Sequence, residues 1–171
     1  VLVFARRDSG EVTAQDALEA IDQAIVFVQR VLPGELSLKT EGFDAIRADG
    51  RPRTVNISHQ GAIQVVHNLI RNAGDAIEER GDIVIRVERG TLDSAPALIL
   101  SVVDEGPGME PSIQERIFDP FFTTKPVDKG SGLGLSTVHG LVESWGGRVS
   151  VDTAPGAGTA IRIALPIVAT D

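Results

Sequence analysis

The chain has 171 residues, 42% hydrophobic and 23% charged, which fits one soluble domain able to bury roughly two-thirds of its unfolded-chain surface. It holds no cysteine, which excludes disulfides and thiolate metal sites. The net charge of -8, with 16 scattered Lys and Arg, argues against nonspecific nucleic-acid binding, and no apolar run or leader resembles a membrane span or signal peptide.

In chain order, Val1 to Ser9 begin abruptly, like the middle of a helix. The chain therefore reads as a fragment of a longer protein, with 1–9 the remnant of a preceding helix and 10–171 the domain itself. Thr13 with Asp16 resembles a capping box opening a helix over about 13–32, whose stripe is Leu18, Ile21, Ile25, Val28 and Leu32 and whose end is Pro33-Gly34. Leu36 to Thr40 and Val55 to Ile57 read as strands separated by a polar loop containing Gly42, Gly50 and Pro52. A second helix starts near Ser58, buries Ile63, Val66, Ile70, Ala73 and Ile77, and ends before Gly81. Ile83 to Val87 and Leu98 to Val103 form a hairpin through a loop around Gly90 and Pro96. A third helix spans about Gly132 to Trp145, and Arg148 to Asp152 and Thr159 to Leu165 complete the sheet through the turn at Pro155-Gly156. This order predicts an α+β sandwich with helices on one face of an antiparallel or mixed sheet.

Within the second helix, HNLIRNAGDAI places Asn68 and Asn72 at i and i+4, on one face with Cβ atoms roughly 5–6 Å apart. Asparagine is a mediocre helix former, so the pair needs a reason; two carboxamides suit a hard cation and the phosphates it carries, with ATP and magnesium as the candidates. In VVDEGPGM, Asp104 ends an apolar strand where a carboxylate can accept from an exocyclic amine, and Gly106 and Gly108 let backbone approach a flat ring. IFDPFFTTK packs three of the six phenylalanines into five residues, an anchor plugged into the core, and ends on the cation Lys125. GSGLGLSTVHGLV leads Gly130, Gly132 and Gly134 into a helix, so bare N–H groups and a positive helix end face an anion. It lacks the GK[ST] of a P-loop and the strand context of a dinucleotide fingerprint. In GAGTAIRIALP, Thr159 opens a strand of alternating character; it and Asp104 both sit near strand ends of the same sheet, where its hydroxyl could stand beside the base.

Together these motifs closely resemble the N box, first glycine box, F box, second glycine box and glycine-threonine element of the catalytic ATP-binding domain of sensor histidine kinases, over roughly Leu36 to Pro166. The resemblance implies the Bergerat fold: a two-layer sandwich with a mixed, mostly antiparallel sheet of about five strands backed by about three helices. It implies that Asn72, helped by Asn68, holds magnesium, that Asp104 reads the adenine amine, and that Thr159 supports the base. Gly106, Gly108, Gly132 and Gly134 would shape the pocket and phosphate cradle, with Met109, Phe118, Gly130, Ser131, Leu133 and Leu135 beside them and Arg71 and Lys125 facing phosphate. The lid would span about Thr123 to Ser131. The implied partners are the dimerisation and phosphoacceptor domain of the same kinase and the receiver domain of a response regulator, with no nucleic acid and no membrane contact by this domain, in the cytoplasm.

Hydrolytic relatives of the superfamily place a glutamate base one turn before the magnesium asparagine. Asn68 stands there in this chain, and an amide cannot take a proton from water. Phosphoryl transfer is thereby favoured over hydrolysis, and over a regulatory binding module of anti-sigma type by the helix-like Val1 to Ser9. Residues His59, His67 and His139 lack the acidic neighbour of the phosphoacceptor box, so the acceptor histidine is expected elsewhere. Many relatives carry Lys or Arg three residues after the second asparagine, where this chain has Asp75; unless Asp75 points outward, Arg71, Lys125 or Lys129 must offset its charge, and Arg71 or Lys125 is the one expected to do so.

Overall fold

The computed structural model describes residues 10–126, 128 and 130–169. The expected helix remnant at Val1 to Ser9, and Lys129, lie outside the described residues. The first element is a short strand, β1 (Thr13–Asp16), followed by α1 (Ala17–Gln29). The expected capping box is therefore corrected: Asp16, not Thr13, is the N-cap, accepting from the N–H groups of Leu18 and Glu19 at 3.0 and 3.2 Å. Residues 13–16 are drawn into a strand instead because they pair antiparallel with β3 (Thr54–Ile57), a partner that local sequence cannot reveal.

β2 (Leu36–Glu41) is followed by α2 (Phe43–Ala48), a short helix inside the segment expected to be loop. Phe43 and Ile46 pin it to the core, and Arg89 fastens the loop behind it by donating to Asp49 Oδ2 at 2.5 Å and to the carbonyl of Pro52 at 2.8 Å. Then come α3 (His59–Ala76), β4 (Gly81–Leu92) and β5 (Ala95–Asp104). The hairpin between β4 and β5 is longer than expected, and Gly90 and Pro96 are ladder residues opposite Ala97 and Thr91. The turn is Asp93-Ser94, both at positive φ (48° and 68°), as a two-residue type I′ turn demands of residues that match the sheet twist.

A helical turn, α4 (Pro111–Gln114), precedes α5 (Gly134–Ser144), β6 (Arg148–Thr153) and β7 (Thr159–Pro166). The main sheet has five strands in the order β2-β4-β5-β7-β6. Only the β2–β4 pair is parallel, so the mixed, mostly antiparallel sheet holds. α1, α3 and α5 cover one face, and a single apolar core unites Leu18, Ile21 and Val28 of α1 with Val66, Leu69 and Ile70 of α3, Ile85 and Leu100 of the sheet and Val138 of α5. The architecture is the expected α+β sandwich. Among the described residues no helix is long and apolar enough to cross a membrane.

Candidate functional site

Ser58 starts α3 by accepting the Gly61 N–H at 3.1 Å. Val65, Val66, Leu69, Ile70 and Ala73 are sealed in the core, which leaves Asn68 and Asn72 half-buried along the edge of that face. Asn68 Nδ2 donates to the carbonyl of Gly134 at 3.3 Å, tying α3 to the first residue of α5. With the amide nitrogen engaged, Asn68 Oδ1 is the atom left to accept or coordinate.

Asp104 is the last residue of β5, only 4% exposed. Its Oδ1 accepts the Gly106 N–H at 2.8 Å, and burial pushes the carboxyl above its ordinary range while that N–H pulls it back down. In register, Asp104 faces Thr159 across β5 and β7. The Thr159 hydroxyl lies 3.0 Å from Thr153 Oγ1, which also contacts the Gly158 carbonyl at 2.7 Å. Because Thr153 has one proton and gives it to Gly158, Thr159 is the donor of the pair and keeps its lone pairs free. Thr153 Oγ1 also accepts the Met109 N–H at 3.1 Å, and Gln114 Nε2 donates to the carbonyls of Met109 and Thr153.

The glycines here answer to backbone crowding. A Cβ on Gly108 (φ +71°) would stand 1.9 Å from the carbonyl oxygen of Ala154, and one on Gly106 would meet Ala76 Cβ at 2.9 Å. The slot between the end of β5 and α3 therefore admits bare backbone only. An open cleft of about 570 Å³ borders it at Ala76 and Gly106, with Glu78, Arg80 and Asp82 as polar walls.

The F-box segment is only partly the core plug expected. Ile117 is buried and Phe118 and Phe122 are half-buried, but Phe121 is 66% exposed at φ +65°. Its N–H donates to the Gly132 carbonyl at 3.0 Å, and a Cβ at Gly132 would fall 2.3 Å from the Phe121 carbonyl carbon. The backbone contact with the glycine loop thus takes precedence over burying the ring. Phe118 instead packs against His139 with the rings tilted by 33° and their centroids 5.6 Å apart. α5 begins at Gly134, two residues later than expected; Ser131, Leu133 and Leu135 sit around its start, where the Leu133 carbonyl accepts Thr137 Oγ1 at 2.7 Å.

Near the other end of α3, Lys125 Nζ pairs with Asp75 Oδ2, so among the described residues it is Lys125 that answers the charge of Asp75, while Arg71 stays exposed. The expected lid includes residues 127 and 129, which lie outside the described residues. The structure thus brings Asn68 to Gly134, Asp104 to Thr159, Phe121 to Gly132 and Lys125 to Asp75. Sequence reading missed Thr153 and Gln114, which sit outside the glycine boxes; Thr153 joins them through strand register and Gln114 through its side-chain bonds from α4.

The profile of the family described as histidine kinase-, DNA gyrase B-, and HSP90-like ATPase matches residues 58–169, and the chain belongs to that family. Its fold is that of histidine kinase catalytic domains. It resembles the solved mycobacterial sensor histidine kinase MprB with a TM-score of 0.71 at 27% identity, covering 94% of this chain and 100% of that one. The nucleotide-free catalytic domain of histidine kinase ThkA gives 0.71 at 28%, covering 92% and 96%. Among longer relatives, the sensor kinase CckA of Brucella abortus (strain 2308) is 32% identical over 178 residues, 97% of this chain. The chain spans 18% of that relative's length.

Proposed function

We propose that this domain binds Mg-ATP and passes the γ-phosphoryl group to a histidine on a separate dimerisation domain, from which it moves to the receiver domain of a response regulator. The observation that carries the reading is the buried Asp104 carboxylate beside Thr159, in a slot that glycines keep open and that α3 closes at Ala76. A carboxylate with one oxygen engaged and one left to accept suits the exocyclic amine of adenine. On α3, Asn68 and Asn72 would offer amide oxygens of the hard type that magnesium accepts one or two at a time, its remaining positions going to phosphate oxygens and water. Magnesium, when bound, would neutralise charge on the phosphates. The N–H groups at the start of α5 would face the same phosphates.

In the transfer a P–O bond to ADP breaks, a P–N bond to imidazole forms, and the ring N–H proton goes to solvent. Such a loose transition state asks for positioning and charge neutralisation more than for a base on this domain. Hydrolysis to drive conformational change is the weaker reading, since Asn68 is an amide whose nitrogen already serves Gly134. ATP as cosubstrate places the work in the cytoplasm. The test is calorimetric Mg-ATP binding followed by transfer of labelled γ-phosphate to a supplied dimerisation-histidine domain. Absence of nucleotide binding removes the reading; binding without transfer to any such domain favours a nucleotide-dependent regulatory module.

A further inference from the structure

Asp75 follows Asn72 by three residues, about 60° round the helix from it, on the flank of α3 that meets the F-box turn. Lys125 reaches Asp75 from that turn, and the two side chains keep 34% and 28% of their surface exposed, respectively. The lysine is held in place. Its N–H donates to Thr123 Oγ1 at 3.0 Å, and its stem lies across Gly130, where a Cβ would stand 3.0 Å from Lys125 Cδ. The ammonium is thus fixed where α3, the F-box turn and the start of the glycine loop converge.

We propose that Asp75 sets the affinity for polyphosphate by masking the charge of Lys125, so that phosphate oxygens must take the ammonium from the carboxylate. The inference rests on the ATP-binding reading above. A paired lysine and aspartate present a dipole to an approaching phosphate, and the field of a dipole falls off faster than that of a single charge. Because the pair is a third exposed, its own coupling is small, whereas a lysine–phosphate contact is a strong charge-assisted bond. Phosphate therefore wins the exchange, at reduced net affinity.

Asp75→Asn keeps the shape and a hydrogen bond to Lys125 but removes the mask. Its Mg-ATP affinity is expected to rise about three- to tenfold with a steeper salt dependence, while affinity for adenosine, which carries no phosphate, stays unchanged. Asp75→Ser should behave alike. In a Lys125→Met background, Asp75→Asn should change nothing. Unchanged or weaker Mg-ATP binding by both Asp75 variants, or a gain that persists without Lys125, overturns the inference and leaves the functional reading standing. Failure of the wild-type chain to bind either adenosine or Mg-ATP removes both.

Discussion

Asn68 and Gly134 are 66 residues apart in sequence and joined by a 3.3 Å hydrogen bond from the side-chain nitrogen to the main-chain carbonyl. This bond ties the helix bearing the amide pair to the helix that follows the glycine loop. It also orients Asn68, because the nitrogen is spent on α5 and the oxygen is left for the site.

Replacing Asn68 by Asp tests that orientation. A carboxylate would turn an acceptor toward the Gly134 carbonyl, losing the bond and adding repulsion. Mg-ATP affinity measured by titration calorimetry is expected to fall about tenfold, roughly 1.4 kcal/mol. Unaltered affinity would show that the bond plays no part in shaping the site.

Gly108 and Gly156 both lie at positive φ, +71° and +77°, but only Gly108 has a neighbour, the Ala154 carbonyl. Alanine at 156 is expected to cost only the left-handed backbone penalty, about 1 kcal/mol. At 108 the added clash with main chain should bring the loss to about 3 kcal/mol. Chemical denaturation of the two variants reads the difference, and equal losses would mean that backbone crowding at the first glycine box is relieved without effort.

The buried Asp104 carboxyl, held above its ordinary value of 3.8 chiefly by desolvation, ties stability to pH. A raised folded value means that the native state keeps a proton that the unfolded chain gives up. The contribution of this group is complete below 3.8 and is lost as pH rises through the folded value. At neutral pH the ionised side chain therefore costs stability. Asp104→Asn should raise the thermal midpoint at pH 7, show little gain below 3.8, and abolish nucleotide binding. A lower midpoint at pH 7 would contradict the cost assigned to burial.

In the β4–β5 hairpin, Ser94 occupies a left-handed position at φ 68°, while Asp93 also bonds Arg148. Ser94→Gly keeps the Asp93 contact and removes the Cβ penalty. The expected gain is about 1 kcal/mol, on the order of 2–4 °C in midpoint for a chain of this size. A thermal scan decides it, and no gain would mean that the turn is not strained.

Much of the candidate site was legible in sequence because its parts are local. Asn68 and Asn72 share a helix face by periodicity alone, Asp104 ends an apolar run, and the glycine spacing ahead of α5 marks a bare-backbone turn. The long strands and the two outer helices were visible for the same reason, as apolar repeats close along the chain. Where sequence reading missed, a distant partner had overridden local preference. Residues 13–16 became strand because β3 lay beside them, and Gly90 and Pro96 joined the ladder because the turn fell at Asp93-Ser94. Phe121 stayed exposed because its backbone serves Gly132. Thr153 entered the network under Thr159 only through the pairing of β6 with β7. For charge, sequence offered several cations that could answer Asp75, and the fold pairs it with Lys125, 50 residues away. Residue chemistry and short-range periodicity are written along the chain; register, and the pairing of groups dozens of residues apart, exist only once the sheet and the helices close around one core.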